Sequence, residues 1–184
     1  SCHSFDIRPR SQKAAILDSC MRWRAEALRQ IVAMRPTMVF LGNLTSSLGQ
    51  RDRVNPWVEH SLDELRDGTR RTVEALSGNR VIIMRDIPFF SYDVPTCLAR
   101  SVRHSWYPNS SCESDRTSVL NPAVFAAEQA GVQGLSNVYF IDLTDRLCQR
   151  ETCKPIQGDS IIYRDHHHLT GEFADSLMPL LTEE

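Results

Sequence analysis

The sequence lacks several features that would each indicate a different class of protein. It has no apolar run approaching the roughly 20 residues that a membrane-crossing helix needs, and its first residues do not resemble a signal peptide. If the protein is exported, we expect its targeting information upstream of Ser1. The net charge of −2 is too small to indicate a nucleic acid or an anionic membrane surface as a partner. We therefore expect a globular protein that binds no nucleic acid.

The sequence also lacks the close C-x-x-C pairs of common metal sites. Its six cysteines fall instead into three local couples, which are Cys2 with Cys20, Cys97 with Cys112, and Cys148 with Cys153. Three short-range disulfides in an oxidising compartment fit this layout better than six buried thiols, although the sequence alone leaves the connectivity open. We predict no metal and no cofactor.

Apolar periodicity predicts helices that alternate with buried strands. The helices are predicted over residues 18–34, 61–76, 121–130 and 170–180, and the strands over residues 37–41, 81–84 and 137–141. Asp18 is the predicted N-cap of the first helix, whose apolar side would carry Met21, Ala25, Leu28 and Val32. Residues 89–118 are predicted to form a long irregular loop. The alternation predicts a single α/β domain over residues 1–184, a three-layer α/β/α sandwich whose mostly parallel sheet is covered on both faces.

The densest polar cluster surrounds Asp165 and His168, just before the last predicted helix. At this spacing, a turn can bring both side chains into one site. The imidazole of His168 would then act as a general base toward a hydroxyl, and Asp165 would hold its tautomer. The alternative is that His166, His167 and His168 form a metal-binding or solvated tract. Because consecutive side chains diverge, three adjacent histidines converge poorly on one metal ion.

Several stretches of the sequence resemble the SGNH domain fused to integral-membrane acyltransferases that O-acylate bacterial surface polysaccharides. The last block carries the most specific resemblance, with Asp165-x-x-His168-Leu169-Thr170 opening a helix. The layout of the cysteines is the next most specific. The remaining pieces are Cys20-Met21-Arg22-Trp23, Asp86-Ile87-Pro88, Pro95-Thr96-Cys97-Leu98 and Asp142-Leu143-Thr144-Asp145.

The resemblance implies a flavodoxin-like SGNH-hydrolase fold and a nucleophilic serine in a Gly-Asp-Ser block that should precede Cys2. We therefore expect the first strands and the nucleophile to lie outside this chain, which alone would be inert on esters. Gly158-Asp159-Ser160 matches the Gly-Asp-Ser sequence of that block, but a strand-like segment follows it where the nucleophile block needs a helix. Asn43 takes the position of the family's oxyanion-stabilising Asn, or else caps the turn after its strand.

The resemblance implies an extracytoplasmic, periplasmic domain tethered to the inner membrane. Its fused membrane domain would deliver an acyl group, most simply acetyl, that passes to a hydroxyl of a cell-surface glycan. The alternatives are a free-standing secreted carbohydrate esterase and a non-catalytic glycan-binding domain. Asp86 is expected to shape its loop. Three aromatic residues could stack on sugar rings, although packing is their commoner role: Trp57, Trp106 and Tyr107.

Overall fold

A computed structural model describes residues 2–8, 14–45, 61–103 and 112–182 of the chain. Trp57, Trp106 and Tyr107 lie outside these residues. The described residues form seven helices, which are α1 (Ala14–Met34), α2 (Leu62–Ala75), α3 (Val94–Arg103), α4 (Arg116–Val119), α5 (Pro122–Gly131), α6 (Thr144–Leu147) and α7 (Gly171–Thr182). Their strands are β1 (Met38–Gly42), β2 (Arg80–Met84), β3 (Ser114–Asp115), β4 (Val138–Ile141), β5 (Thr152–Cys153), β6 (Ile156–Gln157) and β7 (Ser160–Ile161).

The chain divides into two compact units, and each is built from two stretches of sequence. The first unit comprises Ser1–Asp86 and Asn121–Asp142, and the second comprises Ile87–Leu120 and Leu143–Glu184.

The mixed α/β fold with a parallel sheet is confirmed. Within the described residues, no helix is long and apolar enough to span a bilayer.

The sheet of the first unit contains three parallel strands in the order β1-β2-β4. The register places Val39 beside Val81 and Leu41 beside Ile83, and β2 continues in register onto β4. Parallel neighbours need a crossover segment between them, and α2 and α5 provide it. Because the three strands run the same way, the residues after β1, β2 and β4 lie at one edge of the sheet.

Among the described residues, the main apolar cluster of the first unit lies on one face of this sheet. Side chains alternate between faces along a strand, and the inward set includes Val39, Val81 and Ile83, which pack against residues of α1, α2 and α5. Phe40 and Tyr139 belong to the other face and are 56% and 51% exposed. Ile82, which lies between them in the register, is only 9% exposed, so the central strand is covered on both faces as predicted, whereas β1 and β4 leave part of the second face open.

The first helix differs from its prediction in both its start and its buried side. It begins at Ala14, so Asp18 is an exposed residue inside the helix rather than its cap. Met21 and Val32 of the predicted apolar side are each 47% exposed, whereas Arg24 is only 4% exposed. Burying a cation is costly unless its donors are paired, so this arginine needs partners inside the protein.

Arg24 turns inward because residues 2–8 surround its guanidinium group. Its Nε donates to the carbonyl oxygen of His3 at 3.1 Å, and one terminal nitrogen donates to that of Ile7 at 2.8 Å. The other terminal nitrogen forms an ion pair with Asp6 at 3.0 Å. Five donors in a planar fork suit this combined recognition of carbonyls and a carboxylate.

Residues 2–8 are fixed to α1 and α2 by further contacts. The disulfide Cys2–Cys20 joins the segment to α1, with the Cα atoms 5.5 Å apart. The backbone N–H of Asp6 donates to Thr72 Oγ1 at 2.8 Å. A Cβ at Gly68 would lie 2.6 Å from the carbonyl oxygen of Asp6, so the close approach requires glycine. The segment is therefore held at defined positions along its length.

The second unit contains a helix where the sequence predicts a loop. Val94–Arg103 is helical, although residues 89–118 carry prolines and cysteines that predict irregular structure. Pro95 is compatible with the helix because a first-turn residue needs no N–H for the helical ladder. Val94 and Leu98 bury one side of the helix in the core of this unit, and this burial outweighs the local turn signals.

The other two predicted disulfides belong to the second unit. The Cα atoms are 5.9 Å apart in Cys97–Cys112 and 4.0 Å apart in Cys148–Cys153. Together with the first pair, they confirm the predicted couples. All four of these cysteines lie in the apolar core of the unit, together with Tyr163.

Candidate active site

The loop that carries the predicted catalytic residues is closed tightly on itself. The N–H of Arg164 donates to the carbonyl oxygen of His168 at 2.9 Å, which ties the two ends of the loop together. Tyr163, at its entrance, is fully buried in the core of the second unit. At the exit, Thr170 Oγ1 accepts from the N–H of Phe173 at 3.3 Å and so caps α7. The loop is thus fixed at both ends.

Asp165 and His168 form the predicted pair within this loop. His168 Nδ1 lies 2.7 Å from Asp165 Oδ2, a distance typical of a charge-assisted hydrogen bond. The ring of His168 is 51% exposed. With Nδ1 engaged, Nε2 is the ring nitrogen left to accept a proton from a substrate or a nucleophile. The arrangement suits a general base held by a carboxylate.

Asp165 owes its orientation to the backbone of the same loop. Its Oδ1 accepts the N–H groups of His167 and His168 at 2.9 and 2.8 Å, which leaves Oδ2 for the imidazole. Desolvation raises the pKa of Asp165, but these two backbone donors and the imidazole of His168 together hold the pKa well below its usual range. Asp165 is therefore ionised at any physiological pH.

The neighbouring histidines differ from His168 in their contacts. His166 contributes its carbonyl oxygen, which accepts from the N–H of Phe90 at 2.8 Å. The ring of His167 stacks on Phe89 with centroids 5.1 Å apart. Asp165, His167 and His168 could each offer a ligand atom to a metal ion, since these atoms lie within 4.8 Å of one another. A metal ion bound through His168 Nδ1 would replace the hydrogen bond between that nitrogen and Asp165 Oδ2.

Ser160 occupies the hairpin between β6 and β7, where Gly158 has a positive φ of 59°. Its Oγ donates to Glu172 Oε1 at 3.2 Å, and no hydrogen bond joins it to His168 among the described residues. A tight turn at residues 158–159 joins the two strands. A hydroxyl committed to a carboxylate on α7 is not placed as the nucleophile of His168.

Asn43 follows β1 and binds the N-terminal segment through its side chain. Asn43 Oδ1 accepts two hydrogen bonds from Ser4, one from its N–H at 2.7 Å and one from its Oγ at 2.8 Å. The Nδ2 group is buried and has no hydrogen-bond partner among the described residues. Buried donors are almost always paired, so this unpaired amide nitrogen is an exception that calls for an explanation.

Asp86 anchors the same loop from the next strand. Its Oδ2 accepts from the N–H of Thr45 at 2.6 Å and from Thr45 Oγ1 at 2.9 Å. This agrees with the expected loop-shaping role of Asp86. Arg85 pairs with Asp142 at 2.8 Å, which links the ends of β2 and β4. The polar residues after the three strands are therefore joined along the edge of the sheet.

Glu128 on α5 is an acid that the sequence analysis missed. It is 2% exposed. Burial, and then the charge of Asp86, raises its pKa from the ordinary value of 4.5 to about 8, against the opposing charge of Arg85. Its only signal in the sequence is a glutamate within an otherwise apolar stretch. At neutral pH the side chain is protonated.

Replacing Glu128 with Gln is expected to stabilise the protein at pH 8 and leave it unchanged at pH 4.5. Between these values the folded state keeps the proton of Glu128 and the unfolded state loses it, so stability falls as pH rises. A shift of this size corresponds to a loss on the order of 4 kcal/mol. Thermal unfolding of both proteins across this range measures the difference.

Glu74→Gln is the matched control, because Glu74 is half exposed in a surface pair with Arg70. Such pairs contribute little, so this variant should follow the parent protein at every pH. Equal pH profiles for the parent and the Glu128→Gln variant would contradict the buried, neutral glutamic acid.

Comparison with known proteins shows the family and the fold. A family described as the SGNH domain fused to AT3 domains matches residues 1–183. No curated protein matches the chain. A similar solved structure is the lipopolysaccharide acetyltransferase periplasmic domain of Salmonella ser. Paratyphi A, with a TM-score of 0.63 and 16% identity. The match covers 97% of this chain and 67% of that chain, and at this identity it shows the fold alone.

Proposed function

Because the chain belongs to the family of SGNH domains fused to AT3 domains, we propose that it is the extracytoplasmic acyl-transfer domain of a membrane-tethered O-acyltransferase. Both units together form the domain, since the family match spans them. The acceptor is a hydroxyl of a cell-surface glycan, and the acyl group is acetyl, as the lipopolysaccharide acetyltransferase among the similar structures suggests. The membrane domain delivers the acyl group.

The observation that carries this proposal is the pair formed by His168 and Asp165, with Nδ1 bound at 2.7 Å and Nε2 available. The nucleophile is a serine upstream of Ser1. As its Oγ bonds to the acyl carbon, His168 Nε2 takes the hydroxyl proton and passes it to the leaving group of the donor. A glycan hydroxyl then attacks the acyl-serine, and His168 moves its proton back to the serine.

Asn43 supports the same chemistry from its own unit. Each attack places negative charge on the former carbonyl oxygen. A fixed donor for that oxyanion is worth about 3 kcal/mol in the barrier. The unpartnered Nδ2 of Asn43 is a candidate donor of this kind.

The proposal is tested by glycan O-acetylation in cells that express the full-length protein with its membrane domain. We expect acetyl groups on the glycan by NMR, and unchanged acetylation with Ser160→Ala, because Ser160 binds Glu172. The 184-residue chain alone should hydrolyse p-nitrophenyl acetate no faster than buffer does. Loss of acetylation in Ser160→Ala would place the nucleophile in this chain, and acetate release without glycan acetylation would indicate an esterase.

A further inference from the structure

Ser4 determines whether the oxygen or the nitrogen of the Asn43 amide group faces the N-terminal segment. An amide can bind through either its oxygen or its nitrogen, and the hydrogen-bond network decides which end faces which partner. The backbone N–H of Ser4 is an obligatory donor and lies 2.7 Å from the Asn43 amide. The atom facing it must therefore be the oxygen.

The hydroxyl of Ser4 strengthens this choice. Its Oγ donates to the same Asn43 Oδ1 at 2.8 Å, so the oxygen receives two hydrogen bonds from one residue. The nitrogen then points the other way, where it is buried without a partner among the described residues. A reversed amide would set a nitrogen donor against the N–H of Ser4.

Ser4 is itself held in place on both sides. On one side, Cys2 is bonded to Cys20 of α1, and the carbonyl oxygen of His3 accepts from buried Arg24 at 3.1 Å. On the other side, Asp6 pairs with Arg24 at 3.0 Å and with Arg71 at 2.6 Å. The position of Ser4 is therefore rigidly determined by its neighbours in the chain.

We propose that Ser4 is a positioning residue that aims Asn43 Nδ2 as an oxyanion donor. This inference rests on the role proposed above for Asn43. Ser4 contacts no reacting atom in this scheme and acts only through the Asn43 amide. The disulfide and Arg24 in turn keep Ser4 against that amide.

The test measures kcat and KM for p-nitrophenyl acetate hydrolysis by the full-length protein. Ser4→Ala keeps the backbone donor but loses the hydroxyl, so kcat should fall about fivefold with KM unchanged. Ser4→Thr retains a hydroxyl and should restore kcat. Asn43→Asp keeps the oxygen facing Ser4 and replaces the donor with an acceptor, so kcat should fall about 10²- to 10³-fold.

Adding Ser4→Ala to Asn43→Asp should cause no further loss, because Ser4 acts only through Asn43. Thr72→Val is the control, since Thr72 Oγ1 holds the same segment through the N–H of Asp6 and does not contact Asn43. It should lower the melting temperature and leave kcat unchanged.

The outcomes separate this inference from the proposed function. Full activity in Asn43→Asp would remove the oxyanion role and the inference with it. Loss of activity in Asn43→Asp with unchanged kcat in Ser4→Ala would overturn only the role of Ser4. An equal loss of kcat from Ser4→Ala in the parent protein and in the Asn43→Asp variant would also overturn the role of Ser4, because the effect would then not pass through Asn43.

Discussion

Replacing His168 with alanine is expected to lower acyl transfer by the full-length protein by about 10³- to 10⁶-fold. The ring nitrogen of His168 lies 2.7 Å from Asp165, so the variant loses the imidazole that Asp165 orients to accept the proton of the nucleophile. Glycan O-acetylation in cells and p-nitrophenyl acetate hydrolysis by the purified protein both measure the loss.

His166→Ala is the control for this prediction. The structural contribution of His166 is its carbonyl oxygen, which accepts from the N–H of Phe90 at 2.8 Å and is retained by alanine. We expect near-parent activity in this variant. Activity that survives His168→Ala and disappears in His166→Ala would show that the other imidazole is the base.

Replacing Asp165 with Asn is expected to lower turnover about 10⁴-fold, the loss known for this change in a Ser-His-Asp triad. The loop gives a specific reason. Two backbone N–H groups bind Oδ1, so an asparagine would keep its oxygen there and turn its nitrogen toward His168. That nitrogen would donate to Nδ1 and leave the imidazole proton on Nε2, where a general base must have none.

The nitrogen-15 chemical shifts of the His168 ring report this tautomer directly and do not depend on activity. The parent protein should carry its proton on Nδ1, and the Asp165→Asn variant on Nε2. Asp159→Asn is the matched control, because Asp159 is an exposed residue of the β6–β7 turn. An unchanged tautomer together with lost turnover would refute the orienting role of Asp165.

The parts of the fold that could be predicted are those with local signals. Ser61 caps α2 by accepting from the N–H of Glu64, and Asn121-Pro122 opens α5, both at their predicted positions. Buried Arg24 could not be predicted, because its partners are backbone carbonyls 17 and 21 residues away. Nothing in the amino-acid sequence of α1 distinguishes this arginine from the exposed arginines of the same helix.

In the candidate site, too, a contact between near neighbours could be predicted and one between distant residues could not. Asp165 and His168 are three residues apart, so their spacing alone predicts the contact, whereas their catalytic roles remain predictions. The contact between Ser4 and Asn43 spans 39 residues. It has no local signature, and a pattern search over neighbouring letters cannot find it.

The three disulfides have a consequence for biogenesis that follows from their order along the chain. The first cysteine is bonded to the second, the third to the fourth and the fifth to the sixth, over separations of 18, 15 and 5 residues. Short loops close readily. An oxidase that joins cysteines in the order in which they emerge from a translocation channel would therefore produce the native pattern directly. Oxidation in this order would therefore give the native disulfides without reshuffling by an isomerase.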